Sequence, residues 1–456
     1  MKISIFFNNQ PPLNRNIPLE NFPLYVILIM YEYIFIARGR ISPFTATVKN
    51  EKVLVKMILN FHGGVKIDAK RFFANSEIKY INNCSAVCIK AGEDHRLHAK
   101  PGQRVLCGSL LGVSEDTPVY SSVSGIFNGI MELEGEHYFV VINQGDEDVI
   151  TELEPETRPI LELTREDIIA SARKFGIIDS RSGRPLWKLL SEAEKCTRLV
   201  VDCTDSFAHA SINQRLSMEK TRSAVGGAKV MLHAIGGLKA VFAVEYTKST
   251  AIEALENATP DKQLFAIATL EEKYPYGDIA LMDAIYIKTL EPNRKPTDEN
   301  VLIVGIEGAI ALYDAMVSGM PQVYRYVSIC DTDSKKGGNF RVPRGITYHD
   351  LYLLCGIKND SLIIENSLLS GSPAKGALSD GVISLISAEQ NTKKQTECIS
   401  CGQCASACPV RLFPAEILTG APHLKNICIS CGACEFICPA GIPLLKMIKR
   451  EAKKHE

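Results

Sequence analysis

The chain has 456 residues, of which 46% are hydrophobic and 23% charged, and its 51 basic and 52 acidic side chains give a formal net charge of −1. This length predicts about three domains, and the hydrophobic content is typical of an ordinary globular protein. The balanced charge argues against binding of nucleic acid or acidic lipid through an overall field.

Residues 1–56 are an N-terminal extension whose role the sequence leaves open. Its most apolar stretch, Pro23 to Ala37, is shorter than the roughly 20 residues that cross a bilayer, and it contains Glu32. The stretch also lacks the order of a signal peptide, because the apolar run begins late and is followed by Arg38. We expect a buried strand pair, or a stretch outside the working protein with translation starting at Met57.

Residues 57–150 predict an all-β domain. Short apolar runs alternate with glycine and proline, and two related half-repeats, Lys100–Gly112 and Pro118–Ile130, contain closely spaced glycines for tight turns. This pattern resembles the biotinyl/lipoyl-type barrel-sandwich hybrid. Carrier domains of that type display a modifiable lysine, usually beside a methionine, and no such pair lies between the halves. The resemblance therefore implies a docking or structural module.

Residues 160–322 predict a Rossmann-like α/β domain, because buried strands alternate with helices. Thr164 is expected to be the N-cap of a helix that ends near Phe175, with carboxylates in its first turn. Strands are expected at 198–202, 239–245, 263–269 and 299–305, and further helices at 218–235, 250–257 and 309–318.

Residues 323–370 predict a compact β-grasp (SLBB-like) domain, with short strands, a glycine pair and a helix at Tyr348–Cys355. Residues 371–394 are expected to form a loop and linker. Residues 390–456 predict a helical domain, which ends in a basic helix from Leu444 to Lys454 whose lysines face solvent. The overall fold class is therefore multidomain α/β and α+β.

The last domain contains two copies of the motif C-x2-C-x2-C-x3-C-P, which hold eight of the fifteen cysteines. This spacing is the signature of a bacterial-type ferredoxin with two [4Fe–4S] clusters, in which the fourth cysteine of each run binds the cluster of the other run. The predicted ligand sets are Cys398, Cys401, Cys404 and Cys438 for cluster 1, and Cys428, Cys431, Cys434 and Cys408 for cluster 2.

Other uses of these cysteines fit less well. Zinc sites normally use two separated C-x2-C pairs, and disulfides need an oxidising compartment. We expect a reducing cytosol, in which the remaining cysteines are small core residues. These are Cys84, Cys88, Cys107, Cys196, Cys203, Cys330 and Cys355.

Three short segments ahead of the cysteine motif match one family in order. They are Phe61-His-Gly-Gly-Val65, Ala243-Val-Glu-Tyr-Thr-Lys248 and Lys273-Tyr-Pro-Tyr-Gly277. From about Phe61 onward, the chain resembles the C subunit of the Rnf-type ferredoxin:NAD electron-transport complex. That family joins a barrel-sandwich module, a flavin/NADH-binding α/β domain of the complex I flavoprotein type, a β-grasp domain and a two-cluster ferredoxin domain.

The resemblance implies that Gly183, Glu245 and Lys248 line a flavin site, if flavin is retained. The family's glycine-rich turn, G-x-G-G-A-G-F-P, is replaced here by a shorter segment in which only Gly183 remains, and Asp179 and Arg181 add bulk. Two other cofactor-facing segments also differ: at 202–209 Asp205 replaces one of the family's acids and Phe207 stands for the second, and 305–308 has lost a polar pair.

Bare glycine backbone is needed where a chain closely approaches a cofactor phosphate. We therefore expect NADH binding to be lost and FMN to be disfavoured. The alternative is a divergent FMN site that uses Lys248 and Arg181 on the phosphate.

These features predict an electron-transfer subunit that passes single electrons through two [4Fe–4S] clusters in an Rnf-like or related reductase system. Expected partners are redox proteins: a ferredoxin, a flavoprotein or Rnf-like membrane subunits, and not nucleic acid. The alternatives are a soluble relay to an amino-acid or cobalamin-dependent reductase, and a docking scaffold whose clusters are structural.

The chain is expected to be an oxidoreductase component rather than a complete enzyme, and we assign no catalytic residue. Asp179, Asp205 and Glu307 are expected to be solvated or capping carboxylates. A cytoplasmic location is expected, with a peripheral site on the inner face of the cell membrane as the alternative.

Overall fold

The computed structural model describes residues 44–48, 51–55, 58–59, 61–67, 71–133, 135–145, 151–205, 207, 209–276, 281, 283, 295–332, 334–357, 363–387, 394–420 and 427–453. The apolar stretch at 23–37, Met57 and Gly277 lie outside these ranges. The chain begins its described part with an antiparallel hairpin of β1 (Phe44–Val48) and β2 (Glu51–Val55). Two short strands, β3 (Ile58–Leu59) and β4 (Ile78–Tyr80), then join sheets built mainly by later residues.

Two antiparallel sheets follow between residues 86 and 143. Their strands are β5 (Ala86–Ala91), β6 (His95–Leu97), β7 (Arg104–Val105), β8 (Leu110–Ser114), β9 (Thr117–Tyr120), β10 (Gly125–Leu133) and β11 (Glu136–Asn143). The strand orders are β5-β11-β10-β7 and β6-β8-β9. Leu111, Phe127 and Phe139 are fully buried in the core of this module, since alternate residues of its strands face inward.

A parallel sheet with helices forms the centre of the molecule. Its main strands are β12 (Arg198–Asp202), β13 (Lys239–Glu245), β14 (Phe265–Leu270) and β15 (Val301–Gly305). The order is β15-β12-β13-β14-β3, with every pair parallel. These strands are almost continuously apolar because both faces of the sheet are buried, one against the helices and the other in a cluster that includes Phe61 and Tyr276.

The helices of this part are α1 (Arg165–Lys174), α2 (Leu186–Glu192), α3 (Ile212–Glu219), α4 (Thr221–Ala234), α5 (Ser249–Ala258) and α6 (Ile306–Ser318). Helix α1 begins as expected, since the Thr164 side chain accepts a hydrogen bond from Asp167 N and the Asp167 carboxylate accepts one from Thr164 N. The single helix expected at 218–235 is instead the end of α3 and all of α4, with a break at Lys220.

A second mixed sheet contains β16 (Tyr324–Asp331), β17 (Lys336–Pro343), β18 (Ile363–Glu365) and β19 (Ser384–Ser387), in the order β18-β19-β16-β17-β4. Helix α7 (Tyr348–Cys355) has the predicted bounds. Strand β19 lies in the segment expected to be loop and linker, and it pairs in parallel with β16. All four of its residues are buried, so this short strand is part of the core.

The C-terminal part contains α8 (Gln403–Ala407), α9 (Ala433–Ile437) and α10 (Leu444–Lys453). Leu444 and Ile448 of α10 are buried in the same apolar cluster as Cys404 and Cys434. Lys446 and the other basic residues of this helix up to position 450 are exposed, as expected. No helix in the described ranges is long and apolar enough to cross a membrane.

Candidate functional site: paired cysteine loops and an altered cleft

The two cysteine runs have the same backbone fold. In each run a serine and then a glycine adopt left-handed angles, with φ of 54° at Ser400 and 71° at Gly402, and of 55° at Ser430 and 79° at Gly432. A short helix, α8 or α9, follows each glycine and ends directly before the fourth cysteine of its run. Residues other than glycine rarely adopt positive φ. The shared serine angles therefore mark one type of wrapped loop, formed twice.

The predicted ligands of cluster 1 line a single cavity. This cavity has a volume of about 170 Å³, and its wall includes Cys398, Cys401, Cys404 and Cys438. The first three residues come from one run and Cys438 comes from the other. The rest of the wall is mostly apolar, with Phe413 among its members. Four thiols in an apolar wall fit a [4Fe–4S] cluster, which is held by four cysteine thiolates.

The predicted ligands of cluster 2 are also close to one another. The pKa of the Cys434 thiol is raised, mainly by burial and then by the neighbouring thiols of Cys431, Cys428 and Cys408. The backbone N–H of Leu412 donates to Cys408 Sγ at 3.3 Å. Hydrogen bonds to cluster sulfurs adjust the reduction potential of such centres. Among the described residues, no three His, Cys, Asp or Glu side chains converge closely enough to hold one single metal ion.

The two cysteine sets differ in their exposure. Cys398 and Cys401 are exposed, whereas the second set has three buried thiols and the half-buried Cys428. The apolar rim of the cluster 1 cavity also reaches solvent, since Ile399 is 67% exposed and Phe413 is 48% exposed. The first set is therefore open to an approaching molecule, and the second set is enclosed.

The second set is enclosed because its loops pack on the rest of the chain. Gly64 N donates to the carbonyl of Ala407 at 2.9 Å, and the Tyr274 hydroxyl donates to the carbonyl of Cys431. Tyr274 and Val65 also exchange two backbone hydrogen bonds, both of 2.9 Å. The segments 61–65 and 273–276, which carry part of the family resemblance, therefore hold the cysteine domain against the α/β part.

The predicted flavin residues lie in two different segments of the fold. Gly183 lies in a closed turn, where its N–H donates to Asp179 O at 2.8 Å, and it packs against Gly381. Glu245 and Lys248 lie at the carboxyl end of β13 and are both buried.

Glu245 belongs to a cluster of charged groups that the sequence did not reveal. Its Oε1 accepts a hydrogen bond from Asp205 N at 2.8 Å, and Arg71 lies 3.9 Å away. Arg71 also pairs with Glu272 at 2.9 Å. Burial raises the pKa of Glu245 to about 7, although the charges of Arg71 and Lys248 oppose this shift. Arg71 comes from the N-terminal part of the chain, and no sequence signal links it to this site.

The expectation of solvated or capping carboxylates was partly wrong, because Asp179, Asp205 and Glu307 are all buried. Asp205 does cap α3, since its carboxylate accepts from the N–H groups of residues 213 and 214. Glu307 instead accepts a hydrogen bond from Arg325 Nε at 2.7 Å. The cysteines outside the two runs are buried or half-buried, as core residues are.

Comparisons with known proteins agree with this architecture. The family model described as the Nuo51 FMN-binding domain matches residues 180–314, and the 4Fe-4S binding domain model matches residues 392–412. The chain therefore contains an α/β domain similar to that FMN-binding domain and a C-terminal segment similar to 4Fe-4S binding domains.

The relatives are more specific. The chain is 24% identical over 386 residues to the C subunit of the proton-translocating ferredoxin:NAD(+) oxidoreductase complex of Clostridium ljungdahlii, covering 79% of this chain and 84% of the relative. It is 23% identical over 344 residues to the C subunit of the Na(+)-translocating complex of Acetobacterium woodii, covering 70% and 76%. The chain is therefore homologous to these C subunits, and the predicted resemblance is confirmed.

Among solved structures, the NAD+-reducing [NiFe]-hydrogenase in its air-oxidized state aligns with a TM-score of 0.42 and 12% identity. The alignment covers 68% of this chain and 60% of the hydrogenase chain. This likeness is too low to bear on fold or function.

Proposed function

We propose that the protein passes single electrons through two [4Fe–4S] clusters as a subunit of an Rnf-like or related reductase system. The observation that supports this most is the cavity that combines Cys398, Cys401 and Cys404 of the first run with Cys438 of the second. Crossed ligation of this kind brings two clusters close together, and closely spaced clusters are suited to passing electrons.

The chain's own residues have separate tasks in this proposal. The eight thiolates hold the clusters, which supply reversible one-electron chemistry when bound. The buried loops of the second set keep water from cluster 2, while the exposed Cys398 and Cys401 leave cluster 1 open. Electrons are therefore exchanged with other proteins at cluster 1.

The apolar rim of the cluster 1 cavity, formed by Ile399, Phe413 and Leu418, is the proposed contact for a redox partner. These side chains are 67%, 48% and 41% exposed. The named relatives belong to ferredoxin:NAD(+) oxidoreductase complexes. A ferredoxin, a flavoprotein or an Rnf-like membrane subunit is accordingly the proposed partner, with the protein at the cytoplasmic side of the membrane.

The two β modules are proposed to dock partners. The antiparallel sheets at 86–143 are consistent with a barrel-sandwich hybrid within residues 57–150, and the sheet around β16 is consistent with a β-grasp domain that begins near residue 323. We propose no site for NADH, because this chain departs from the cofactor-facing segments that the family resemblance implies.

Cysteine variants of the anaerobically reconstituted full chain test this function. We expect about eight irons in the wild-type chain and about four in Cys401→Ala, since each cluster holds four irons. Crossed ligation predicts that Cys438→Ala loses the same electron paramagnetic resonance signal as Cys401→Ala, and that Cys408→Ala loses the signal that Cys434→Ala loses. Cys355→Ala is the matched control, because this cysteine lies outside both runs.

Electron transfer is the decisive measurement. Cys401→Ala is expected to abolish electron transfer from a reduced ferredoxin to an acceptor, because cluster 1 is the open one. Undiminished transfer by this variant would contradict the relay.

A docking scaffold with structural clusters is the second candidate. The hydrogen bonds from Gly64 to Ala407 and from Tyr274 to Cys431 favour it, because they make the cysteine loops part of the packing. A scaffold predicts clusters that are not reversibly reduced at low potential, whereas a relay predicts two reversible low-potential signals.

A further inference from the structure

The cleft of the α/β domain has a defined position. In an open parallel sheet, ligands bind outside the carboxyl ends of the strands, at the point where the strand order reverses. Here β13 and β14 lie on one side of β12, and β15 lies on the other. The reversal is therefore between β12 and β15, which end at Asp202 and Gly305, and α6 begins directly after Gly305.

The N-terminus of α6 already carries an anionic group. Oδ1 of Asp179 accepts a hydrogen bond from Gly305 N at 2.6 Å. The second oxygen, Oδ2, accepts from the N–H of Ser182 at 2.9 Å and from its hydroxyl at 2.6 Å, which closes the turn 179–183. Helix N-termini favour anions, and cofactor phosphates commonly occupy this place. In this chain the carboxylate of Asp179 occupies it.

The closed turn also lies against the start of α6 with no intervening space. A Cβ added to Gly305 would lie 2.6 Å from Ser180 Oγ and 3.1 Å from Arg181 N. A Cβ added to Gly308 would lie 3.3 Å from Asp179 Oδ1. Since a single added carbon would be in close contact, a cofactor phosphate has no room between the turn and the helix.

The Arg181 side chain fills the space between the turn and the end of β12. Its side chain is only 10% exposed, with Nη2 at 2.6 Å from Asp283 Oδ1 and Nε at 3.5 Å from Asp202 Oδ2. Two carboxylates therefore offset the guanidinium charge. This geometry disfavours the divergent site in which Arg181 would hold the FMN phosphate.

We infer that the turn 179–183 fills the cleft between the ends of β12 and β15, where a cofactor would otherwise bind. This α/β domain therefore folds and works without FMN. The residues in this cleft, where the strand order reverses, do not fit the flavin that the family model implies. This inference deepens the proposed function. It rests on that function in one respect, namely that the two clusters are then the redox centres of the chain. Electrons would then both enter and leave through the clusters.

Flavin content and flavin binding test the inference directly. The full chain, reconstituted anaerobically with iron and sulfide in the presence of FMN, is expected to release no flavin on acid precipitation. Added FMN is expected to show no saturable fluorescence quenching and no increase in the apparent Tm. Flavin in stoichiometric amount, or an FMN-dependent rise in Tm, would overturn the inference.

A second measurement tests whether Arg181 stabilises the cleft through its ion pairs with Asp202 and Asp283. Arg181→Met leaves the buried Asp202 and the half-buried Asp283 without their cation, so the apparent Tm is expected to fall by about 5–10 °C. Added FMN should not restore it, whereas the second change Asp283→Asn should restore part of it. Arg184→Met is the matched control, because Arg184 lies in the same segment and pairs with Glu192 at the surface. An equal Tm for both arginine variants would contradict the structural role of Arg181.

Iron content and the cluster signals are measured on the same samples. Stoichiometric flavin with both clusters intact would overturn this inference and leave the proposed relay standing. Missing clusters without flavin would count against the relay alone.

Discussion

Glu245 shows how one residue of the family can persist in an altered environment. Its carboxyl group is buried at the end of β13, and Oε2 is without a hydrogen-bond partner in the structure. Arg71, Asp205 and Lys248 are the charged groups that act on it most strongly. Because burial outweighs the two cations, the pKa of Glu245 rises from 4.5 to about 7. Glu245 therefore titrates near neutral pH.

This shift predicts a pH-dependent stability. The folded state holds the proton more tightly than the unfolded state, so the stabilising contribution is complete below pH 4.5 and is lost as the pH rises through about 7. Relative to Glu245→Gln, the wild-type protein should lose on the order of 3 kcal/mol of stability over this range. The apparent Tm of both proteins, measured at several pH values, checks this.

Glu253→Gln provides the control, because Glu253 is exposed on α5. It should follow the wild-type protein at every pH. A difference between Glu245→Gln and wild type that stays constant with pH would mean that Glu245 titrates normally.

At the scale of elements, the contact between α4 and α6 depends on a glycine. A Cβ at Gly227 would lie 1.9 Å from the carbonyl oxygen of Ala309, in the first turns of α6. Glycine normally weakens a helix interior by about 1 kcal/mol relative to alanine. Glycine at position 227 allows α6, which begins at the cleft, to lie close to α4.

Gly227→Ala should therefore destabilise the protein although alanine is the better helix former. Overpacking of this kind costs about 1–3 kcal/mol, which exceeds the gain in helix propensity. Lys229→Ala, at an exposed position of the same helix, should be neutral or slightly stabilising. Thermal unfolding of the two variants compares them, and stabilisation by Gly227→Ala would show that the helices are farther apart than they are here.

Local signals made much of the fold predictable. Helix α1 follows from the cap at Thr164, and β12 and β13 follow from continuous apolar runs, which only buried strands or helices contain. Strand β19 was missed because its sequence, Ser-Leu-Ile-Ser, is too short to show a period. The break at Lys220 was missed because no proline or glycine marks it.

Parts of the candidate site were predictable to different extents, because a sequence shows local signals but not contacts between distant residues. The proposed cluster ligands follow a fixed local spacing, so all eight could be proposed from the sequence alone. For Asp179 and Arg181, only the loss of glycine was visible. Their partners Gly305 and Asp283 are distant in sequence, and the pairing exists only after the sheet has formed.

At the scale of the whole molecule, the two cysteine loops have the same backbone fold but pack against different surroundings. Gly402 and Gly432 occupy the same position in the two runs and have φ of 71° and 79°. A Cβ at Gly402 would have nothing within 4 Å, whereas one at Gly432 would lie 2.7 Å from the carbonyl oxygen of Leu369. The glycine of the second run therefore packs on the body of the protein, whereas the glycine of the first run does not.

This asymmetry separates docking from cluster binding. Alanine at either glycine imposes a similar left-handed strain of about 1–2 kcal/mol, but only Gly432→Ala adds a clash with Leu369. Gly432→Ala should increase hydrogen exchange in the segments 61–67 and 366–371 beyond the increase caused by Gly402→Ala, because the loops lose their contact with the body. Under the proposed function each loop holds iron, so iron content should fall equally or not at all in the two variants. Equal exchange in both would mean that the cysteine domain is not held by this contact in solution.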